Sequence, residues 1–190
     1  MVSTFYAKIF FVKQVIIKTL QNLTDSEIDQ LNEASEREFK VSLPPKEKML
    51  DRHFFLLEQR KEVLAMGQLL PVEPIKFNSE EFFVLGIGGI IAKQKGKGYG
   101  KAIMAAIKDW LVNRNKTGIG FCKLKNKGFY EKCGFLTNID LLNRFVYLGT
   151  EKFYADSENE CIFYMDGNDQ FMEKVLNNPD QVVLPIPPVW

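Results

Sequence analysis

The spacing of apolar residues changes period along the chain, and each change marks an element. The stretch AKIFFVKQVIIKTL crowds Ile, Val and Phe together and predicts an opening strand over residues 6–19. In LTDSEIDQLNEASEREF the pattern becomes helical: Ile28, Leu31 and Phe39 recur at near-helical spacing, acids fill the first turn, and Thr24 or Asp25 supplies a cap. SLPPKEKML reads as a loop. RHFFLLEQRKEVLAMGQLLP then predicts a hairpin, with a strand over 53–58, a charged turn near 60–62 and a return strand to about residue 70.

FFVLGIGGIIA predicts a fourth strand, and its glycines point to a bulge or a close approach by a ligand. A glycine-rich turn and a helix over about 98–113 follow, then a fifth strand in TGIGFCKL and a short helix in KNKGFYEKCGF, ended by Gly134. RFVYL and ECIFYMDG predict two more strands, and residues 170–176 a short helix. Residues 177–190 are proline-rich, which blocks a regular strand interior and predicts an extended arm. Strands and helices in this order predict a mixed α/β (α+β) fold. We expect one domain over 1–190, with a central sheet of about six to seven strands flanked by helices.

Charge adds asymmetry. The whole chain carries a net +1, which argues against nucleic acid as a general partner. Residues 93–132, however, hold eleven Lys or Arg against Asp109 and Glu131, an excess of nine positive charges, so the remainder carries about eight negative ones. Residues 156–190 contribute seven acids against Lys174 alone. The three cysteines form no C-x-x-C pair and have no histidine nearby, so neither a metal site nor a disulfide is expected. No apolar run approaches the roughly 18 residues of a membrane span, and the start lacks a secretory pattern; a cytoplasmic location is expected.

The chemistry concentrates in IIAKQKGKGYGKAIMAAIKDW. A strand that turns directly into a helix leaves backbone N–H groups without intrahelical partners, and these groups with the helix dipole favour an anion, most often a phosphate. Gly96, Gly98 and Gly100 let backbone approach such a group, and Lys95, Lys97 and Lys101 add charge at the rim. The P-loop pattern fails because Ala102 follows Lys101, and the dinucleotide fingerprint fails on glycine spacing. By itself the segment also fits a glycine-rich connection with solvated lysines.

Two motifs together resemble the GNAT superfamily of acetyl-CoA-dependent N-acetyltransferases. The family pattern Gln/Arg-x-x-Gly-x-Gly/Ala falls on residues 95–100, with Lys95 in place of Gln or Arg, and an aromatic-Tyr-Glu-Lys-x-Gly-Phe cluster falls on residues 129–135. The resemblance covers roughly residues 6–165. It implies that Ile90, Ile91 and Ala92 align the pantetheine arm of acetyl-CoA, and that Lys95, Gly96, Lys97, Gly98, Tyr99, Gly100 and Lys101 hold its pyrophosphate. It also implies that Tyr130 protonates the departing sulfur, a role that competes with simple aromatic packing beside Phe129 and Phe135. Many relatives carry a glutamate base within the fourth strand. That strand has no acid here, and Glu81, at its start, is the nearest candidate.

Within the superfamily the chain resembles most the aminoglycoside 2′-N-acetyltransferases, which would place it in antibiotic resistance. That resemblance rests on the hairpin, the glycine turn, GFYEKCGF, the strand NECIFYM and a terminal tryptophan. It implies a small cationic amine as acceptor, contacted by Glu158, Glu160, Asp166 and the Trp190 carboxylate, although LPIPPVW is apolar where acids are expected. Unlike charges on the cofactor segment and the remainder suit such an acceptor. A non-catalytic acyl-CoA sensor and a peptide or protein N-acetyltransferase stay open as alternatives. His53, between an arginine and two phenylalanines, reads as a sheet residue, and the aromatic richness raises a homodimer as an expectation.

Overall fold

The computed structural model describes residues 14–145, 159–179 and 183. The chain runs β1 (Gln14–Thr19), α1 (Asp25–Phe39), β2 (His53–Gln59), β3 (Glu62–Pro71), β4 (Ile75–Phe77), β5 (Glu80–Phe82), β6 (Leu85–Ala92), α2 (Tyr99–Arg114), β7 (Gly118–Lys123), α3 (Lys127–Lys132), β8 (Leu136–Asn138), β9 (Glu160–Met165) and α4 (Phe171–Asn177). Seven strands form one mixed sheet in the order β1-β2-β3-β6-β7-β9-β8, and β4 with β5 forms a separate ribbon. The mixed α/β class and the seven-stranded central sheet agree with the sequence reading.

Local chemistry accounts for most boundaries. Thr24 caps α1 and forms a capping box with Glu27: the Glu27 amide donates to the threonine hydroxyl and the Thr24 amide to the glutamate carboxylate, at 2.7 Å for the latter. The β2–β3 hairpin turns through Arg60 and Lys61, both at positive φ, as the tight hairpin geometry requires. Two elements escaped the pattern. The β4–β5 ribbon turns through Asn78 and Ser79, each strand only three residues long, too short to show alternation. β8 is equally short and is held by pairing with β9. The strand expected in RFVYL lies beyond the described residues except for its start, where Phe145 makes a parallel bridge to Val183. Of the expected C-terminal arm, only residues 177–179 and 183 are described.

Three apolar clusters fix the layers. Leu31 of α1 packs with Phe54, Leu56, Met66 and Ile91 on one face of the sheet. Ile103, Ile107 and Leu111 of α2 pack with Phe55, Leu69, Ile87 and Phe163 on the other. The third joins α4 to β9 and the ribbon through Phe171, Ile162 and Phe82. The first two clusters lock α1 and α2 against opposite faces of β6, and this sets the walls of the site.

Candidate active site

β6 and β7 run parallel but pair only at Leu85–Gly118 and Gly86–Ile119. Beyond that point they part. On its other edge β6 stays in register with β3, interrupted by a bulge at Gly89, whose φ of +60° only glycine adopts without strain. Beyond Ile87, β6 therefore turns an unpaired edge toward the gap, with backbone groups free to bond a ligand. Two cavities, each of about 420 Å³, occupy the gap.

One cavity lies under the glycine turn. Ile90, Ile91, Ala92, Lys95, Gly96, Gly98, Tyr99, Gly100 and Lys101 line it, together with Glu38, Gln94, Asn126, Phe129 and Tyr130. Of the residues the sequence assigned to the cofactor, Lys97 alone is not part of this lining. Gly98 is the N-cap of α2 and brings no side-chain cap, so the first-turn amides are left to an outside acceptor. It sits at φ +76° and Gly96 at +79°, and a Cβ built on either meets nothing within 4 Å. An open, positively charged cradle of backbone amides fits a pyrophosphate, and the unpaired β6 edge beside it fits an amide-bearing arm.

The second cavity lies along the parted strands. Ile87, Gly88, Gly89 and Ile90 form one side, Phe121, Cys122 and Lys123 the other, with Glu38, Phe39, Lys125, Asn126, Tyr130 and Glu160 completing it. Tyr130 borders both cavities. Its ring is 8% exposed, stacked on Phe163 and edge-on to Phe129. Burial, reinforced by the neighbouring Cys122, Cys133 and Cys161, holds its hydroxyl well above the ordinary phenol range, so it is protonated throughout the physiological range.

The other sequence candidates fall in different places. Glu160 reaches the second cavity, where it pairs with Lys123 at 2.7 Å. Glu81 does not: it lies on the ribbon, exposed, 3.7 Å from Lys76, and lines neither cavity. Asp166 is drawn away as well, because its carboxylate accepts the Met172 and Glu173 amides at 2.8 and 2.9 Å and so caps α4. Glu158 and Trp190 lie outside the described residues. His53 packs on Trp110, 4.8 Å between ring centroids, and burial with the nearby Arg114 pushes its pKa down. Cys122 and Cys161 face each other across β7 and β9 with their sulfurs 3.3 Å apart, and burial raises the Cys122 thiol far above its usual range.

Glu38 and Phe39 were missed by the sequence reading. They end α1 and project over the gap. A signal was present: an acid in the last turn of a helix opposes the helix dipole, so Glu38 works against the element that carries it. Its carboxylate lines both cavities and lies 3.9 Å from Lys95.

The profile of the Acetyltransferase (GNAT) family matches residues 20–135. The fold is similar to that of Escherichia coli ElaA (TM-score 0.56, 16% identity, covering 80% of this chain and 99% of that one). It is also similar to an acyl-CoA N-acyltransferase from Pseudomonas aeruginosa (0.55, 18%, 80% and 98%). An N-acetyltransferase from Staphylococcus aureus Mu50 matches as well (0.52, 14%, 80% and 97%). No curated protein matches the sequence.

Proposed function

The chain belongs to the GNAT family of acetyltransferases, and on that premise we propose that it transfers an acetyl group directly from acetyl-CoA to a primary amine held between β6 and β7. It is an acetyl-CoA-dependent acyltransferase, and its family acts on amine acceptors. The observation that carries the assignment of the site is the position of Tyr130, at the border of the cradle under the glycine turn and the cavity along the parted strands.

Acetyl-CoA supplies the activated thioester. The first-turn amides of α2, with Lys95 and Lys101, would hold its pyrophosphate, and the open edge of β6 at Ile90 and Ile91 would align its arm. Tyr130, kept protonated by burial, would give its proton to the departing sulfur. The strand glutamate of many relatives has no counterpart here, and Glu81 lies on the ribbon and lines neither cavity. Glu38 and Glu160 are the carboxylates that line the second cavity, and one of them, directly or through water, would take the proton of the incoming amine.

A cationic acceptor, with an aminoglycoside as its named case, rests on these same two acids. Lys123 already neutralises Glu160, so an ammonium group would share or displace that lysine. Release of free thiol from acetyl-CoA tests the reading. Tobramycin, which carries a 2′-amine, is compared with kanamycin A, which does not, alongside polyamines and short peptides. Release with tobramycin but not kanamycin A supports the aminoglycoside. Release only with polyamines or peptides replaces that acceptor. Silence with every amine, while acetyl-CoA still raises the melting temperature, turns the reading toward an acyl-CoA-binding module.

A further inference from the structure

We propose that Arg52, held in place by Gln68, forms the floor of a second ligand site, outside the acetyl-transfer cleft, that binds a small monocarboxylate. Arg52 ends the loop between α1 and β2 and is 7% exposed; Gln68, in β3, is 4% exposed. The Arg52 guanidinium donates to the Gln68 side-chain oxygen at 3.0 Å. Among the described residues this is its only side-chain bond, and no carboxylate lies within ion-pair distance. A guanidinium has five N–H groups and does not lose its charge, and buried charges are nearly always paired. One neutral acceptor leaves most of that capacity unused.

The remaining donors are not sealed in the protein. Arg52 itself lines an open space beside the loop, and among the described residues none of its nitrogens is cut off from solvent without a partner. That space is a cavity of about 640 Å³, within the range of small-molecule sites. Leu50, Leu70, Val72 and three prolines give it apolar, stiff walls. Glu47, Asp51 and Glu73 also line it but are exposed, and none bonds Arg52. Lys48 lines it as well and offsets part of their charge, leaving a net negative rim that disfavours phosphates and other polyanions more than a single carboxylate held on Arg52. A single planar carboxylate on an apolar body matches the planar fork below and the walls around it.

Gln68 also connects this floor to the cleft. Its amide fills the space a side chain at Gly89 would need, since a Cβ there would come within 3.0 Å of its nitrogen. Gly89 is the bulge that lines the acetyl-transfer cavity. The carboxylate therefore belongs either to the acceptor itself or to a separate ligand.

Butyrate against butyramide, in the full chain at constant ionic strength, tests the site by titration calorimetry and thermal shift. Butyrate alone should bind, saturating in the millimolar range expected of so small a ligand. Arg52→Gln should weaken it at least ten-fold. Gln68→Glu, which sets a carboxylate on the guanidinium within the fold, should raise the melting temperature without ligand and abolish the butyrate response. It carries the test if Arg52→Gln fails to fold. Equal responses to butyrate and butyramide, or a butyrate response that survives in Gln68→Glu, overturn the proposal. The source is read from acetyl transfer to L-lysine and its methyl ester. A KM advantage of the free acid that disappears in Arg52→Gln assigns the carboxylate to the acceptor. Equal KM values with butyrate still bound assign it to a separate ligand.

Discussion

Tyr130 lies stacked on Phe163, ring centroids 3.7 Å apart and planes 15° from parallel. The stack fixes the phenol ring, so its hydroxyl position is set by packing rather than by a hydrogen bond that would have to break during reaction. Phe163 gains room for this from Gly120, where a Cβ would come within 2.2 Å of the phenylalanine ring. Tyr130→Phe retains the stack and removes only the hydroxyl, and with it the proton it would donate. We expect kcat to fall by about ten-fold or more while acetyl-CoA affinity stays nearly constant. An unchanged kcat would remove Tyr130 from the chemistry.

The glycine turn depends on backbone conformation before it depends on charge. At Gly98 a Cβ has open space but an unfavourable φ, so Gly98→Ala carries strain of about 1 kcal/mol without any clash. Asparagine tolerates this conformation better. The expected order of acetyl-CoA affinity, measured calorimetrically, is glycine, then asparagine, then alanine. Alanine binding as tightly as glycine would show that the cradle does not need this geometry.

Glu160 sits in the second cavity with a lysine partner already in place. Glu160→Gln should raise KM for a polyamine acceptor with little change in KM for acetyl-CoA. If neither constant moves, the residue serves only its cross-strand pair with Lys123.

The thiols offer a negative control on the direct-transfer reading. Burial keeps Cys122 protonated and therefore a poor nucleophile, and Cys133 is the least buried of the three. Intact-mass analysis after mixing with acetyl-CoA should show no acetylated enzyme, and iodoacetamide should label Cys133 first. A stable acetyl adduct on Cys122 would replace direct transfer with a covalent route.

A carboxyl pair distant from the cleft sets a pH dependence of stability. Burial alone would raise Glu27, but Lys18, the Thr24 backbone, Glu58 and the Thr24 hydroxyl together hold it at about 2. Its contribution is complete above pH 4.5 and is lost as pH falls toward 2. Glu58 shifts the other way: burial, its hydrogen bond to Glu27 and the Glu27 charge all raise it, so its contribution fades as pH rises above 4.5. Glu58→Gln keeps a donor for Glu27 and cannot ionise. Melting curves from pH 5 to 8 should fall less steeply for Glu58→Gln than for the wild type. Parallel curves would separate this pair from the pH dependence.

The sequence by itself determined what local rules control. Thr24 and Glu27 announce a capped helix, Arg60 and Lys61 fall where the hairpin must turn, and glycine spacing with Lys95 and Lys101 marks the turn that we propose as the anion cradle, because caps, turns and helix N-termini are made by neighbours in the chain. The partnership of Tyr130 with the glycine turn was legible only through motif resemblance. Tertiary structure decided the rest. Glu81 and Asp166 look like free acids in sequence, yet one faces solvent on a ribbon and the other caps α4. Glu38 reads as one charge among many on α1 until the helix is packed across β6. Arg52 and Gln68, sixteen positions apart, meet only when β3 lies beside the loop that precedes β2. The parting of β6 from β7, which opens the proposed site, is a relation between strands separated by a helix. No local period encodes it, because it is set by the pairing of two strands that the sequence keeps apart, with α1 and α2 packed on opposite faces of β6.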